Sequence, residues 1–298
     1  MAATNLPQAE VSDVARPRAA RSSSGVSGVI GRLVVYLVLV VLAISVIYPL
    51  IWMALSGLKT NAELFGDSWA LPTQWRFSNY VRAWDLGVVR FVVNSVIVTV
   101  GSIVTTVLFS SMAAYALTRI RAVPFSNALT GLLLGGMMLA PTVALIPLFR
   151  LLQSLGIYNT YLALIVLYTA FRIPFTVFLI RAYMLTLSRE MEDAAVVDGA
   201  NRWQIFWLVI VPLSRPIIVS AALLQALFAW NEFAFALVFM NSQELKPLTV
   251  GLLDMQNRLT SDWPVLFAGL TISAIPMIVL FLVGQRQFIR GLSEGFGK

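Results

Sequence analysis

Between two long apolar stretches, residues 189–212 gather Arg189, Glu190, Glu192, Asp193, Asp198 and Arg202, four of the chain's fourteen acids among them. Carboxylates can serve as acids, bases or metal ligands, but only beside suitable partners. The chain has no Cys and no His, which excludes disulfides, thiol nucleophiles, imidazole bases and His-based metal sites. A carboxylate or Ser/Lys enzyme stays formally open, yet no catalytic constellation is visible. A Gly-x4-Gly-Lys-Ser/Thr phosphate loop is also absent, because Lys59, Lys246 and Lys298 are the only lysines and none lies in that pattern. The chemistry left to this polar island is recognition. Ser188 is placed as an N-cap, with Glu190, Glu192 and Asp193 in the first turn, where the positive helix end favours acids. Gly199 supplies a stop. Asn201, with Gln204 three residues on, has the pattern of a capping box that starts a second helix over 202–209. Such a helix–Gly–helix elbow is what a docking surface for a soluble partner needs.

Two further ionisable residues stand inside apolar stretches. Arg172 lies within 161–183, where an arginine near mid-membrane costs roughly 2.5–3.5 kcal/mol and should face a partner or water. Glu232 is the one acid inside a candidate span and so the natural partner for Arg172. With Trp230 and Asn231 it forms a polar-edged run that suits either a cavity-facing cluster or a hydrogen-bond network between subunits.

These residues must be positioned by apolar helices. Hydrophobic residues make up 59% of the 298 and charged residues 12%, against roughly 25% charged in ordinary soluble domains. Mean hydropathy is +0.83. Uncharged windows run over 33–58, 91–118, 122–149, 151–171 and 263–285, and 216–243 is interrupted only by Glu232. Each meets or exceeds the ~20 residues that a helix needs to cross the hydrocarbon core. The expected architecture is an all-α membrane protein with six transmembrane helices, near 33–55, 91–117, 125–149, 161–183, 216–243 and 264–284. Residues 1–28 read as a disordered cytoplasmic tail, and 29–298 as one six-span domain whose polar loop lies at about 185–212. The stretch 56–86 is the longest outer loop, and its Trp69, Trp75, Tyr80 and Trp84 suit a membrane interface.

The net charge of +7 is a topology signal rather than a nucleic-acid patch. With both termini inside, cytoplasmic segments hold Arg16, Arg18, Arg21, Arg32, Arg119, Arg121, Arg181, Arg189, Arg202, Arg215, Arg286, Arg290 and Lys298. Outer segments hold Lys59, Arg76, Arg82, Arg90, Arg150, Lys246 and Arg258. Thirteen against seven follows the positive-inside rule.

The island also resembles the cytoplasmic "EAA" loop of the membrane subunits of binding-protein-dependent ABC importers. That pattern is Glu-Ala-Ala, three residues, Gly, nine residues, Ile, one residue, Leu-Pro. Here it reads Asp193-Ala194-Ala195, Gly199, then Val209 and Val211-Pro212. Asp193 replaces the Glu, with Glu192 adjacent, and Val replaces both Ile and Leu. Three further runs resemble the carbohydrate branch. They are Pro147-Leu148-Phe149 with Leu155-Gly156-Ile157 and Asn159-Thr160, then Trp230-Asn231-Glu232-Phe233, and a tail from Gln285 to Gly295 similar to that of maltose-type second permeases.

The resemblance implies a type I ABC importer permease fold with cytoplasmic termini, in the cytoplasmic membrane of a prokaryote. It implies a second permease subunit, two ATPase subunits that bind the ATP and Mg, and an extracytoplasmic solute-binding protein; no cofactor belongs to this chain. It assigns coupling to the ATPase to Glu192, Asp193, Ala194, Ala195, Asp198, Gly199, Ala200, Trp203, Phe206 and Pro212. Arg172, Trp230, Asn231 and Glu232 are candidates for the translocation path or a subunit interface. The alternatives are an ion-coupled carrier, which would call for an inverted repeat that is not visible, and an ABC permease for a non-sugar solute.

Overall fold

The computed structural model describes residues 26–120, 126–138, 140–258 and 262–296. Of the tail expected over 1–28, residues 1–25 lie outside that set, and Val26 already begins a helix. Among the described residues all regular structure is helical. The chain forms two compact units, Met1–Pro49 and Leu50–Lys298. In the first, residues 26–49 are a single helix; the packing described below is that of the second.

The first helix, α1 (Val26–Ser56), carries Pro49 near its end. α2 (Asn61–Gly66) is started by a reciprocal capping box between Thr60 and Glu63. α3 (Ser78–Ala83) runs through a wide π-helical turn at Trp84–Val88 into α4 (Val89–Arg119). α5 (Ser126–Met137) breaks before Pro141, and a tight turn over Pro141–Ala144 leads into α6 (Leu145–Ser154). α7 (Tyr161–Met184) is N-capped by Thr160. Then come α8 (Glu190–Val197), α9 (Arg202–Gln204), a π-helical turn at Ile205–Ile210 and α10 (Val211–Leu213). α11 (Arg215–Asn231), α12 (Ala234–Phe239), α13 (Leu248–Arg258) and α14 (Trp263–Phe296) complete the order.

Among the described residues, four stretches are long and apolar enough to cross a membrane: Val29–Ser56, Ser78–Arg119, Tyr161–Met184 and Trp263–Arg286. Two others pass only as bent pairs, Ala128–Met137 with Pro141–Ser154 at 92° and Arg202–Leu213 with Arg215–Asn231 at 78°. The third expected span is therefore not a single helix, and the fifth, expected over 216–243, is broken at Glu232. Pro141 offers no N–H, and proline disfavours helical backbone before it; Ala140 is extended, at φ −68° and ψ 124°. In the fifth, α11 stops at Asn231, Glu232 turns extended with ψ 132°, and α12 restarts two residues later.

Small residues let α4 and α7 pack closely along their length. Ser95, Thr99, Ser102, Thr106, Ser110 and Ala114 form a buried face on α4. A Cβ at Gly101 would come within 2.6 Å of Ile165. Thr105 and Thr169 share a hydroxyl–hydroxyl hydrogen bond of 2.6 Å across the pair. Two apolar clusters flank this seam. One joins Val98, Leu167, Tyr168, Phe235 and Phe239; the other joins Tyr115, Ile180, Met184, Ile205, Phe206 and Ile217. The second cluster locks the elbow onto the ends of α4, α7 and α11.

Candidate functional site

The elbow folds as its local sequence dictates. The Glu190 N–H is taken by the Ser188 hydroxyl at 3.2 Å, although the helix cap itself falls one residue later, at Arg189. α8 ends in two crossed backbone bonds, from Gly199 N–H to Val196 O at 3.0 Å and from Ala200 N–H to Ala195 O at 2.9 Å. That Schellman pattern requires a left-handed residue at the turn, and Gly199 has φ +84°. Asn201 Oδ1 then accepts from the N–H groups of Trp203 and Gln204, both at 3.0 Å, while Gln204 Oε1 accepts from Asn201 N–H at 2.8 Å. This is the expected capping box. The helix it starts runs on to Leu213 through the wide turn at 205–210, which precedes Pro212 and its missing N–H. A sharp bend at Ser214 begins α11.

Not every residue assigned to the docking face lies on it. Asp193, Ala194, Asp198, Gly199, Trp203 and Pro212 are exposed. They share the surface with Val196, Trp207 and Leu208, and with Val197, which is 86% exposed. Phe206 is turned the other way. It is 2% exposed and packs its ring 5.3 Å from that of Tyr115. Ala195 and Ala200 also face inward, against the same cluster, where a larger residue would lift α8 off the bundle.

Glu192 is likewise withdrawn. Its Oε1 sits 3.0 Å from Arg119 Nε, with the two side chains 14% and 4% exposed. The contact is a close ion pair without hydrogen-bond alignment. Arg119 Nη2 also donates to the carbonyls of Met184 at 2.5 Å and Leu187 at 2.8 Å. Burial pushes the Glu192 carboxyl above its ordinary value, against the pull of Arg119 and Arg189. Arg119, read from sequence only as a topology marker, thus belongs to the site. A cavity of about 330 Å³ opens beside it, lined by Tyr115, Arg189, Asp193 and Arg202 among others.

The second group of expected residues is scattered. Trp230 is 7% exposed and packs with Phe91 and Leu248 in this chain's own core. Asn231 is exposed and donates to Leu227 O at 2.7 Å. Glu232 bridges the break in the fifth stretch. Its Oε1 accepts from Phe235 N–H at 2.8 Å, and its Oε2 accepts from Ala236 N–H at 3.2 Å and from the Tyr168 hydroxyl at 2.8 Å. It caps α12. Arg172 is not paired with it: the guanidinium lies 4.6 Å from the ring centre of Phe175 and 4.9 Å from that of Phe228.

The loop between α1 and α4 is built with similar economy. Lys59, 2% exposed, donates to the carbonyls of Asp67 and Ser68. Glu63 accepts from Thr60 and from both the N–H and the hydroxyl of Thr73. The Thr73 hydroxyl does most to lower its pKa to about 2, with Thr60 N–H next. Trp69, Trp75 and Trp84 are exposed, whereas Tyr80 turns inward and donates to Ala54 O at 2.8 Å. Sequence also gave no sign of two asparagine clamps. Asn94 donates to Glu244 O and Lys246 O and accepts from the Tyr161 hydroxyl. Asn159, left-handed at φ +58°, holds Ser242 and Asn241 N–H.

Residues 18–293 match the family described as binding-protein-dependent transport system inner membrane component. The chain is 45% identical over 266 residues to a probable ABC transporter permease protein, YurM, of Bacillus subtilis strain 168, covering 89% of this chain and 88% of that protein. It is 32% identical over 260 residues to the diacetylchitobiose uptake system permease protein NgcG of Streptomyces coelicolor, covering 86% of each. Among solved structures it is similar to a chain of a bacterial ABC transporter involved in the import of the acidic polysaccharide alginate. The TM-score is 0.77 at 27% identity, over 89% of this chain and 98% of that one.

Proposed function

The chain belongs to the inner-membrane components of binding-protein-dependent transport systems, and from that premise we propose that it is the permease subunit of an ATP-driven carbohydrate importer. The elbow carries this reading. An elbow with exposed Asp193, Ala194, Val197 and Trp203 is held to three long helices by buried Phe206 and partly buried Ala195 and Ala200. A surface that is both exposed and mechanically fixed suits the transfer of motion from a soluble ATPase to the spans. The carbohydrate class is supported by relatives whose names include diacetylchitobiose uptake and melibiose, raffinose and stachyose import.

In this reading the bent pair over 128–154, and α11 with α12, complete six spans, both termini and the elbow are cytoplasmic, and 29–298 act as one transmembrane domain. ATP and Mg are bound by two separate ATPase subunits, a second permease completes the pathway, and a binding protein delivers the solute. Closure of the ATPases shifts the elbow and exchanges inward for outward access. The exchange requires that ATP-bound partners favour one state over the other. Family membership leaves the ion-coupled alternative without support.

Reconstitution tests this division of labour. The purified chain alone should neither bind nor hydrolyse ATP, and adding the ATPase subunits, the partner permease and the loaded binding protein should restore stimulated hydrolysis. Ala194→Asp should insert normally and fail to recruit the ATPase, since it places an unpaired charge in the docking face. Saturable nucleotide binding by the chain alone, or normal recruitment by Ala194→Asp, would overturn the reading.

A further inference from the structure

Arg119 occupies a singular place. It lies in the last turn of α4, donates to carbonyls at the end of α7, and faces a carboxylate in the first turn of α8. Each contact has the sign that the helix ends favour, a cation at the C-terminal ends of α4 and α7 and an anion at the N-terminal end of α8. One guanidinium with a fixed fork of donors can hold all three, which a lysine ammonium cannot do with the same geometry. The side chain is 4% exposed, so solvent screens the knot little.

We infer that Arg119 is a positioning residue for coupling: it ties the elbow to α4 and α7 so that a displacement of α8 moves both spans together. The apolar contacts beneath the elbow resist separation but tolerate sliding. The charged knot opposes sliding: directional bonds hold Arg119 to the Met184 and Leu187 carbonyls, and a shift of α8 alone would draw the withdrawn Glu192 carboxylate away from its 3.0 Å approach to Arg119. Glu192 is the elbow's handle on this knot, while exposed Asp193 remains free for the partner. The inference rests on the elbow being the ATPase-coupling loop.

The test uses the full complex in proteoliposomes, with the ATPase subunits, partner permease and binding protein. Arg119→Met preserves length and removes the charge; Glu192→Gln leaves the carbonyl contacts of Arg119 in place. Both should recruit ATPase subunits as wild type does, because neither changes the exposed face. Substrate imported per ATP hydrolysed should fall about tenfold in Arg119→Met, within the usual span of coupling energies, and by a smaller factor in Glu192→Gln. A merely structural loss would lower import and hydrolysis in proportion and leave that ratio unchanged. An unchanged ratio in both variants overturns the inference. If Arg119→Met fails to assemble, Glu192→Gln decides it by the same ratio. Failure of the wild-type chain to recruit ATPase would instead count against the proposed function.

Discussion

At residue scale the elbow separates conformational demands from contact demands. A Cβ at Gly199 would meet nothing within 4 Å, so the demand for glycine comes wholly from its φ of +84°. A residue with a Cβ loses roughly 1–2 kcal/mol there, and a β-branched one is a genuine outlier, whereas asparagine visits that region with less strain. Gly199→Val should therefore abolish binding-protein-stimulated ATPase while Gly199→Asn retains most of it, with insertion normal in both. Equal activity of the two variants, measured in the reconstituted complex, would show that the left-handed stop is not what matters. The same contrast explains which site residues were legible. Gly199, Asn201 and Gln204 act on backbone within five positions, so their roles stand in the sequence. Glu192 and Asp193 are adjacent and chemically alike. Which of them turns inward depends on Arg119, seventy-three positions earlier, and no local pattern carries that.

At the scale of elements, breaks are made and repaired by specific groups. Glu232 takes two N–H groups that the start of α12 would otherwise leave open, and hydrogen bonds to a charged group are each worth about 1.5–3 kcal/mol. A sequence shows an acid in an apolar stretch but not the helix end that it serves. Hydropathy marked six apolar stretches and could not show that the third is bent or that the fifth breaks at Glu232, since Pro141 breaks its stretch whereas Pro174 and Pro276 lie inside continuous helices.

The loop carrying α2 offers a pH test of the same capping logic. Glu63 has its pKa lowered to about 2 from 4.5. A depressed carboxyl stabilises the fold above its unfolded value and loses that contribution as pH falls from about 4.5 towards 2. Hydrogen exchange over residues 57–77 should be unchanged from pH 7 to 5, after correction for intrinsic rates, and should accelerate below that window. Glu63→Gln should exchange faster at neutral pH and lose the acid dependence. An acid response that persists in Glu63→Gln would assign the effect to another group.

For the whole molecule, the bent pairs decide topology. Four straight spans alone would put residues 186 and 74 in a relation that a fifth or sixth crossing changes. If Ala128–Met137 with Pro141–Ser154 enters and leaves on one side, α7 inverts, and with it the side on which the elbow lies. The distribution of arginine resists that inversion. Arg119, Arg181, Arg189, Arg202 and Arg215 cluster at the ends of α4, α7 and α11 nearest the elbow, and short loops rich in Arg and Lys stay inside. The Arg119–Glu192 pair adds that α8 lies at the same end of the bundle as the C-terminus of α4, the placement expected if the bent third pair makes one full crossing. The chain's lack of cysteine makes this directly measurable. Gln74→Cys should react with a membrane-impermeant maleimide in intact cells, and Thr186→Cys only after permeabilisation, since both positions are exposed. A fluorescent protein fused after residue 298 should light up in the cytoplasm. Labelling of Thr186→Cys from outside would put the elbow, and with it the Arg119 end of α4, beyond the reach of any cytoplasmic ATPase, and the arginine-based orientation would be wrong.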